Sequence, residues 1–216
     1  MSEAKANAPV SSIPRGAPLF VVLDGVDGCG KSTQAARLVE RLRRESGREV
    51  AHVREPGSTA LGERVRELLL GRGLDLDSGV ELLLFAAARR QMLRERAGPA
   101  LARGEHVVCE RFHASTFAYQ SVAGGQPESE VLALLQRWAG EPAPTHTVLL
   151  DVPPERAAGR RGAPGDRIED KGLAFQRAVA AGYRRYVELV PGVQVVDGLG
   201  SPEEVAERVW KAVGCG

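Results

Sequence analysis

Cysteine is scarce in this 216-residue chain. Cys29, Cys109 and Cys215 are too few and too scattered for a disulfide framework or a thiolate metal site, and the scarcity predicts a reducing, cytoplasmic location. Long apolar runs are missing as well: the longest uncharged apolar runs fall far below the ~18 residues of a membrane span, so no membrane partner is expected. Neither charge is in surplus. Lys and Arg number 29 and Asp and Glu 28, a net charge of +1, which argues against a protein that grips nucleic acid by bulk charge. Among the cations lysine is rare, four residues against 25 arginines. That ratio reads as a bias of the whole chain. The bidentate phosphate recognition that suits arginine applies at a few positions at most.

With 43% hydrophobic and 26% charged residues, the chain has the composition of a folded globular protein, and its length suits one domain. Residues 1–17 are small, polar and broken by Pro9 and Pro14. They are read as a flexible extension that lacks the apolar core of a secretory signal, ahead of a single domain over 18–216. Short Val- and Leu-rich runs predict buried strands at Leu19–Asp24, Glu49–Arg54, His106–Glu110, His146–Asp151 and Val193–Asp197. Helical patterns lie between them at Lys31–Ser46, Leu61–Leu70, Val80–Arg96, Ser129–Ala139, Leu173–Leu189 and Pro202–Val213. Within the fifth of these, Phe175, Val179, Gly182, Tyr186 and Leu189 share one face. A Gly- and Arg-rich stretch, Gly159–Arg167, interrupts the pattern. Continuous apolar strands alternating with helices predict an α/β fold, a five-stranded parallel sheet with helices on both faces and ligands at the carboxyl ends of the strands.

The first strand runs into Gly25-Val26-Asp27-Gly28-Cys29-Gly30-Lys31-Ser32, followed by Thr33 and a helix. This is the spacing of a phosphate loop of the P-loop NTP hydrolase type. Its glycines let backbone N–H groups turn inward on phosphate oxygens, and the helix N-terminus adds its positive end. Lys31 would reach the outer phosphates, and the Ser32 hydroxyl would ligate Mg²⁺. The loop alone leaves kinases, GTPases, ATPases and motors open. The Asn-Lys-x-Asp guanine reader of a GTPase does not occur in the sequence, and 216 residues are too few for helicase machinery, so a small-molecule kinase fits best.

Phe20-Val-Val-Leu-Asp-Gly25-Val-Asp-Gly-Cys-Gly-Lys-Ser-Thr-Gln34 resembles the opening of thymidylate kinases, and further blocks follow in the same order. They are Arg54-Glu-Pro-Gly57 with Leu61–Leu69, Leu83–Gln91, Glu110-Arg111-Phe112 with Ser115–Gln120, and Asp166-Arg-Ile-Glu169 at the end of a lid over about 156–169. The resemblance spans roughly residues 19–213. It implies transfer of the γ-phosphoryl group of ATP to dTMP, with Mg²⁺ as cofactor and a homodimer joined through helices. Another pyrimidine monophosphate kinase, or a nucleotide-binding regulator whose catalysis has decayed, are the alternatives.

The resemblance also assigns roles. Residues 25–33 cradle ATP, and Asp27 approaches the acceptor's sugar and phosphate. Arg54 lies against the dTMP phosphate and Arg111 clamps it. Phe85 and Arg89, four residues apart on one helix face, stack on the pyrimidine and donate to its O4, although the same spacing suits a core Phe beside an exposed Arg. Ser115, Thr116, Tyr119 and Gln120 form a block of which Tyr119 and Gln120 face the deoxyribose and base; a buried core Tyr is equally common. Glu110 holds Mg²⁺ with Ser32, but relatives usually carry Asp there, and Mg²⁺ tolerates little displacement. At least one lid arginine among Arg156, Arg160 and Arg161 closes on the transferring group, because Gly28 stands where some relatives place a catalytic Arg. Arg167 pairs with Glu169 or joins the lid, Arg90 and Arg94 are solvated, and the four histidines are given no chemistry.

Overall fold

The computed structural model describes residues 16–160 and 165–214. Five strands, β1 (Phe20–Asp24), β2 (Val50–Arg54), β3 (His106–Glu110), β4 (His146–Asp151) and β5 (Val193–Asp197), form one parallel sheet in the order β2-β3-β1-β4-β5. β1 is central and every one of its residues is buried. Its alternate side chains enter two different cores. Phe20 and Val22 pack with Val53, Met92, Leu93 and Ala97, while Val21 and Leu23 pack with Leu38, Leu42, Val179 and Val209. A strand buried on both faces must be apolar at every position, hence the unbroken run Phe-Val-Val-Leu. Each such side chain contributes about 1.5–3 kcal/mol on leaving water. β1 connects to β2 on one side and its neighbour β4 connects to β5 on the other, so the crevice between them is the switch point at which ligands bind.

The helices are α1 (Lys31–Ser46), α2 (Ala60–Leu70), α3 (Ser78–Met92), α4 (Gly98–Ala102), α5 (His113–Thr116), α6 (Glu128–Ala139), α7 (Pro154–Arg160), α8 (Gly172–Leu189) and α9 (Pro202–Ala212). α1 matches expectation, ending on a left-handed Gly47. α3 begins two residues before the predicted start because Asp77 caps it, accepting from the N–H groups of Gly79 and Val80 at 2.8 and 3.0 Å. Three helical pieces escape the pattern. α3 continues through a wide turn at Leu93–Ala97 into α4, across a Gly98-Pro99 pair that reads as a breaker. α5 continues as another wide turn at Phe117–Val122. α7 covers residues given no element from the sequence and runs into the first two of the stretch read as an interruption. On α8, Val179, Gly182 and Tyr186 are buried as expected, whereas Leu189 is exposed and Tyr183 is buried in its place. Gly182 is needed for contact: a Cβ there would lie 2.7 Å from the Ala118 Cα.

Candidate active site

The phosphate loop bridges β1 and α1. Gly25 sits at φ +143°, and a Cβ on it would come within 2.7 Å of the Leu150 carbonyl oxygen, so only glycine fits this start of the loop. No side chain caps α1 and its first turn holds no acid, which leaves its N–H groups and positive end to an anion. Asp27, Gly28, Cys29, Gly30, Lys31, Ser32 and Thr33 line a cleft of about 810 Å³. Gly25 and Val26 lie beneath it: Val26 is buried in the core, and both carbonyls accept from Lys31 Nζ at 2.8 Å. Their place is under the lysine, as its holders, where the sequence had grouped them with the residues facing ATP.

Ser32 Oγ donates to Glu110 Oε2 at 2.5 Å, and His52 Nε2 lies 2.9 Å from the other carboxylate oxygen. The longer Glu is thus accommodated at the end of β3 by a hydroxyl on one side and an imidazole on the other. Burial opposes its charge, but the His52 and Ser32 contacts outweigh that and hold the carboxyl below its usual range. His52, given no chemistry from the sequence, is a direct neighbour of the pair.

Arg111 follows β3 at φ +69°, a left-handed conformation rare for a non-glycine residue. It turns the guanidinium back over the loop, where Nη2 pairs with Asp27 and Nη1 donates to Ser115 Oγ at 3.0 Å. Asp27 also accepts from Tyr119 Oη at 2.6 Å and Gln176 Nε2 at 3.3 Å. Burial would raise the Asp27 carboxyl, but Arg111 and Lys31 hold it well below the usual range. Burial likewise works against the Arg111 cation, and Asp27 more than restores it. Ser115 lines the cleft, yet its hydroxyl is already bound to Asp24 at 2.5 Å and to Tyr183 at 2.8 Å. Its part is to fix Arg111, and it has little left to offer a ligand.

Across the cleft Phe85 is half-buried and Arg89 is 1% exposed. Arg89 is therefore not the solvated half of an ordinary helical pair. Its Nε donates to Glu55 at 2.5 Å, and its Nη2 to the Phe112 carbonyl and to Thr116 Oγ1, both at 3.0 Å. Its remaining nitrogen, Nη1, is buried without a partner, in a side chain that lines the cleft together with Phe85, Thr116, Tyr119 and Gln120. Burial pushes the Glu55 carboxyl up, to about 7, against the pull of Arg89. Arg54, at the rim, is more than half exposed and 3.6 Å from Glu63.

The lid residues divide. Arg160 lines the cleft and donates to the Gly198 carbonyl at 3.1 Å; Arg156 is exposed and away from it; Arg161 lies outside the described residues. Arg167 pairs with Glu81 at 2.7 Å and not with Glu169. Asp197 accepts from the Leu199 N–H at 2.9 Å, plain turn chemistry that presents Gly198 and Gly200 to the cleft. Arg90 and Arg94 are exposed, as expected.

Besides His52, sequence reasoning missed four participants. Asp24 is fully buried and accepts from the Phe112 and Ser115 N–H groups, Ser115 Oγ and Tyr183 Oη. An acid ending an apolar run was its only signal. Glu55 could have been inferred from the need of a buried arginine for a counter-ion. Arg66 lines the cleft from α2, and Tyr183 falls one residue from the predicted face of α8.

A phosphate loop at the switch point of a parallel sheet, facing a second cation-lined pocket across one cleft, defines a P-loop kinase class that brings two anionic substrates together. Residues 23–209 match the family model described as thymidylate kinase. The chain is 42% identical over 196 residues to a thymidylate kinase of Synechococcus sp. (strain JA-3-3Ab), covering 90% of this chain and 95% of that one. It is 40% identical over 199 residues to that of Deinococcus radiodurans, covering 90% and 96%, and 43% identical over 204 residues to that of Gluconobacter oxydans, covering 92% and 95%. The chain belongs to the thymidylate kinase family.

Proposed function

We propose that the chain transfers the γ-phosphoryl group of ATP to dTMP, giving dTDP and ADP. The observation that carries the acceptor's identity is the buried, unpartnered Nη1 of Arg89 at the far wall of the cleft. A donor that can find no partner in the protein suits a carbonyl at position 4 of a pyrimidine, which accepts, and opposes the amino group of cytosine, which donates. Phe85 offers its ring to the base, while Thr116, Tyr119 and Gln120 line the same pocket.

Bringing two polyanions together is the central problem, since like charges at 4 Å repel by about 4 kcal/mol per unit pair at an effective dielectric of 20. Lys31 and the loop amides hold the donor phosphates. Arg111 and Arg54 hold the acceptor phosphate, with Asp27 setting the direction of the Arg111 guanidinium. Among the described residues Arg160 is the lid arginine that lines the cleft, and Arg161 follows it in sequence. The acceptor phosphate is ionised at neutral pH, so the reaction needs positioning and charge neutralisation more than a base. Mg²⁺ fits the donor set: the Ser32 hydroxyl and Glu110 carboxylate are hard oxygen ligands already side by side. Among the described residues no three His, Cys, Asp or Glu gather as a metal cage, so such a cation would share oxygens with nucleotide and water. When bound, it would neutralise charge on the transferring phosphates.

The same proposal includes a homodimer, supported by the exposed Leu61, Leu68 and Leu83 on the packed helices α2 and α3, and a cytoplasmic location, supported by the few cysteines. Among the described residues no helix is long and apolar enough to cross a membrane. Solution molar mass tests the dimer. A coupled assay of ADP release over dTMP, dUMP, dCMP and thymidine tests the reaction. dTMP should turn over fastest and thymidine not at all. Faster turnover of dUMP or dCMP, or tight ATP binding with no ADP release, would overturn the proposal.

A further inference from the structure

Glu81 is a fully buried acid that does not line the cleft, yet it touches two elements that do. It sits in the first turn of α3, where the helix N-terminus favours a negative charge. One carboxylate oxygen, Oε1, takes Arg167 at 2.7 Å and Lys171 at 3.3 Å. The other, Oε2, accepts from Gln120 Nε2 at 2.9 Å. Arg167 and Lys171 flank the segment at the foot of the lid, and Arg167 is further pinned to the Leu69 carbonyl by two hydrogen bonds.

We propose that Glu81 is a positioning residue for base selection: it fixes the side-chain amide of Gln120 so that the amide oxygen, and not the nitrogen, is offered to the acceptor base. The proposal rests on the acceptor pocket assigned above. A glutamine amide has a donor branch and an acceptor branch and can turn end for end. A carboxylate engaged by two cations only accepts, so it claims the NH₂ branch of Gln120 and leaves the oxygen for the cleft. Thymine and uracil carry a donor at N3, which suits that oxygen; cytosine carries an acceptor there, which opposes it. Arg89 Nη1 faces the neighbouring position, where thymine accepts and cytosine donates. The inverted amide would remove half of this discrimination, since an NH₂ group matches cytosine N3. A mispaired buried polar edge is a strong source of rejection, and the orientation of one amide decides whether that edge is mispaired.

The test is the ratio of kcat/KM for dTMP to that for dCMP, taken on one preparation so that the active fraction cancels. Glu81→Gln keeps the shape but can either donate to or accept from Gln120, freeing the amide to turn. We expect the ratio to fall about tenfold while the dTMP-to-dUMP ratio stays unchanged, because thymine and uracil present the same edge. A merely structural loss would move neither ratio. Gln120→Leu should lower the dTMP-to-dCMP ratio too, and Glu81→Gln should add nothing in that background. An unchanged ratio in Glu81→Gln beside a lowered one in Gln120→Leu overturns the role of Glu81. An unchanged ratio in Gln120→Leu instead removes the placement of Gln120 against the base, and the proposal with it. A measurement on the unaltered protein stands independently of how the variants fold. The Gln120 side-chain NH₂ resonance, assigned through its own bonded carbons, should show no through-space contact to the thymine ring protons when dTMP binds; such a contact means that the NH₂ branch has turned to the base and overturns the proposal.

Discussion

The two halves of the cleft are made in opposite ways. The donor half is one continuous piece of chain, residues 25–33, whose working parts are backbone amides and a helix end. The acceptor half is collected from Arg54 and Glu55 after β2, Phe85 and Arg89 on α3, and Arg111 to Gln120 after β3. Its working parts are side chains, and the two innermost cations are held by other side chains, Arg89 by the buried Glu55 and Arg111 by Asp27 and Ser115. A loop of backbone donors needs only the right φ angles. A pocket of side chains needs counter-ions and hydrogen-bond partners from elsewhere, and so depends on the fold for its existence.

That contrast predicts that donor-half variants lose rate and keep stability, whereas acceptor-half variants lose both. The largest effect is expected for Lys31→Ala. Its ammonium touches only two loop carbonyls and a thiol, so turnover of dTMP should fall by about 10²–10³-fold or more with little change in melting temperature; an unchanged rate would remove the donor half from the mechanism. Arg89→Leu comes next. It strands the Glu55 carboxylate, 3% exposed, and should cost about 3–5 kcal/mol of stability in addition to activity. A loss below about 1 kcal/mol in denaturant unfolding would mean that the pair is not structural.

The smallest effect concerns pH. His113 opens α5, stacks on Phe112 and lies 2.9 Å from the Ala139 carbonyl oxygen. Burial, helped by the Arg89 charge, pushes its pKa down to about 3. Above pH 6.5 both folded and unfolded states are neutral. Below it the unfolded chain takes a proton that the native state refuses, so stability falls with pH by at most about 1.4 kcal/mol per unit until about pH 3. His113→Gln should therefore shrink the stability difference between pH 7 and pH 5 by up to about 2 kcal/mol. An unaltered difference would place the acid sensitivity elsewhere.

The same contrast explains what could be read from the residues. Strands β3, β4 and β5 and helix α1 follow from local runs and caps, and the loop from its spacing. The helical stretch from His113 to Val122 did not, because its buried positions, Ala114 to Ser121, are nearly continuous and show no amphipathic period. In the site, Lys31 and Ser32 were legible as a motif. Arg89 was legible only through family resemblance, because nothing in its own helix shows that Glu55, 34 residues earlier, will neutralise it. Asp24 gave no signal beyond an acid ending an apolar run; apart from the adjacent Gly25 N–H, its donors come from segments about 90 and 159 residues away.

Three cations of this cleft are parked. Lys31 rests on loop carbonyls, Arg160 on the Gly198 carbonyl, and Arg111 on the Asp27 carboxylate. Long flexible arms of this kind each forfeit up to about 2 kcal/mol of rotamer freedom when immobilised, and here that loss is incurred during folding. At these three groups an arriving nucleotide has only to exchange one oxygen acceptor for another, so phosphate recognition there consists of swapping partners among groups that already stand at their posts.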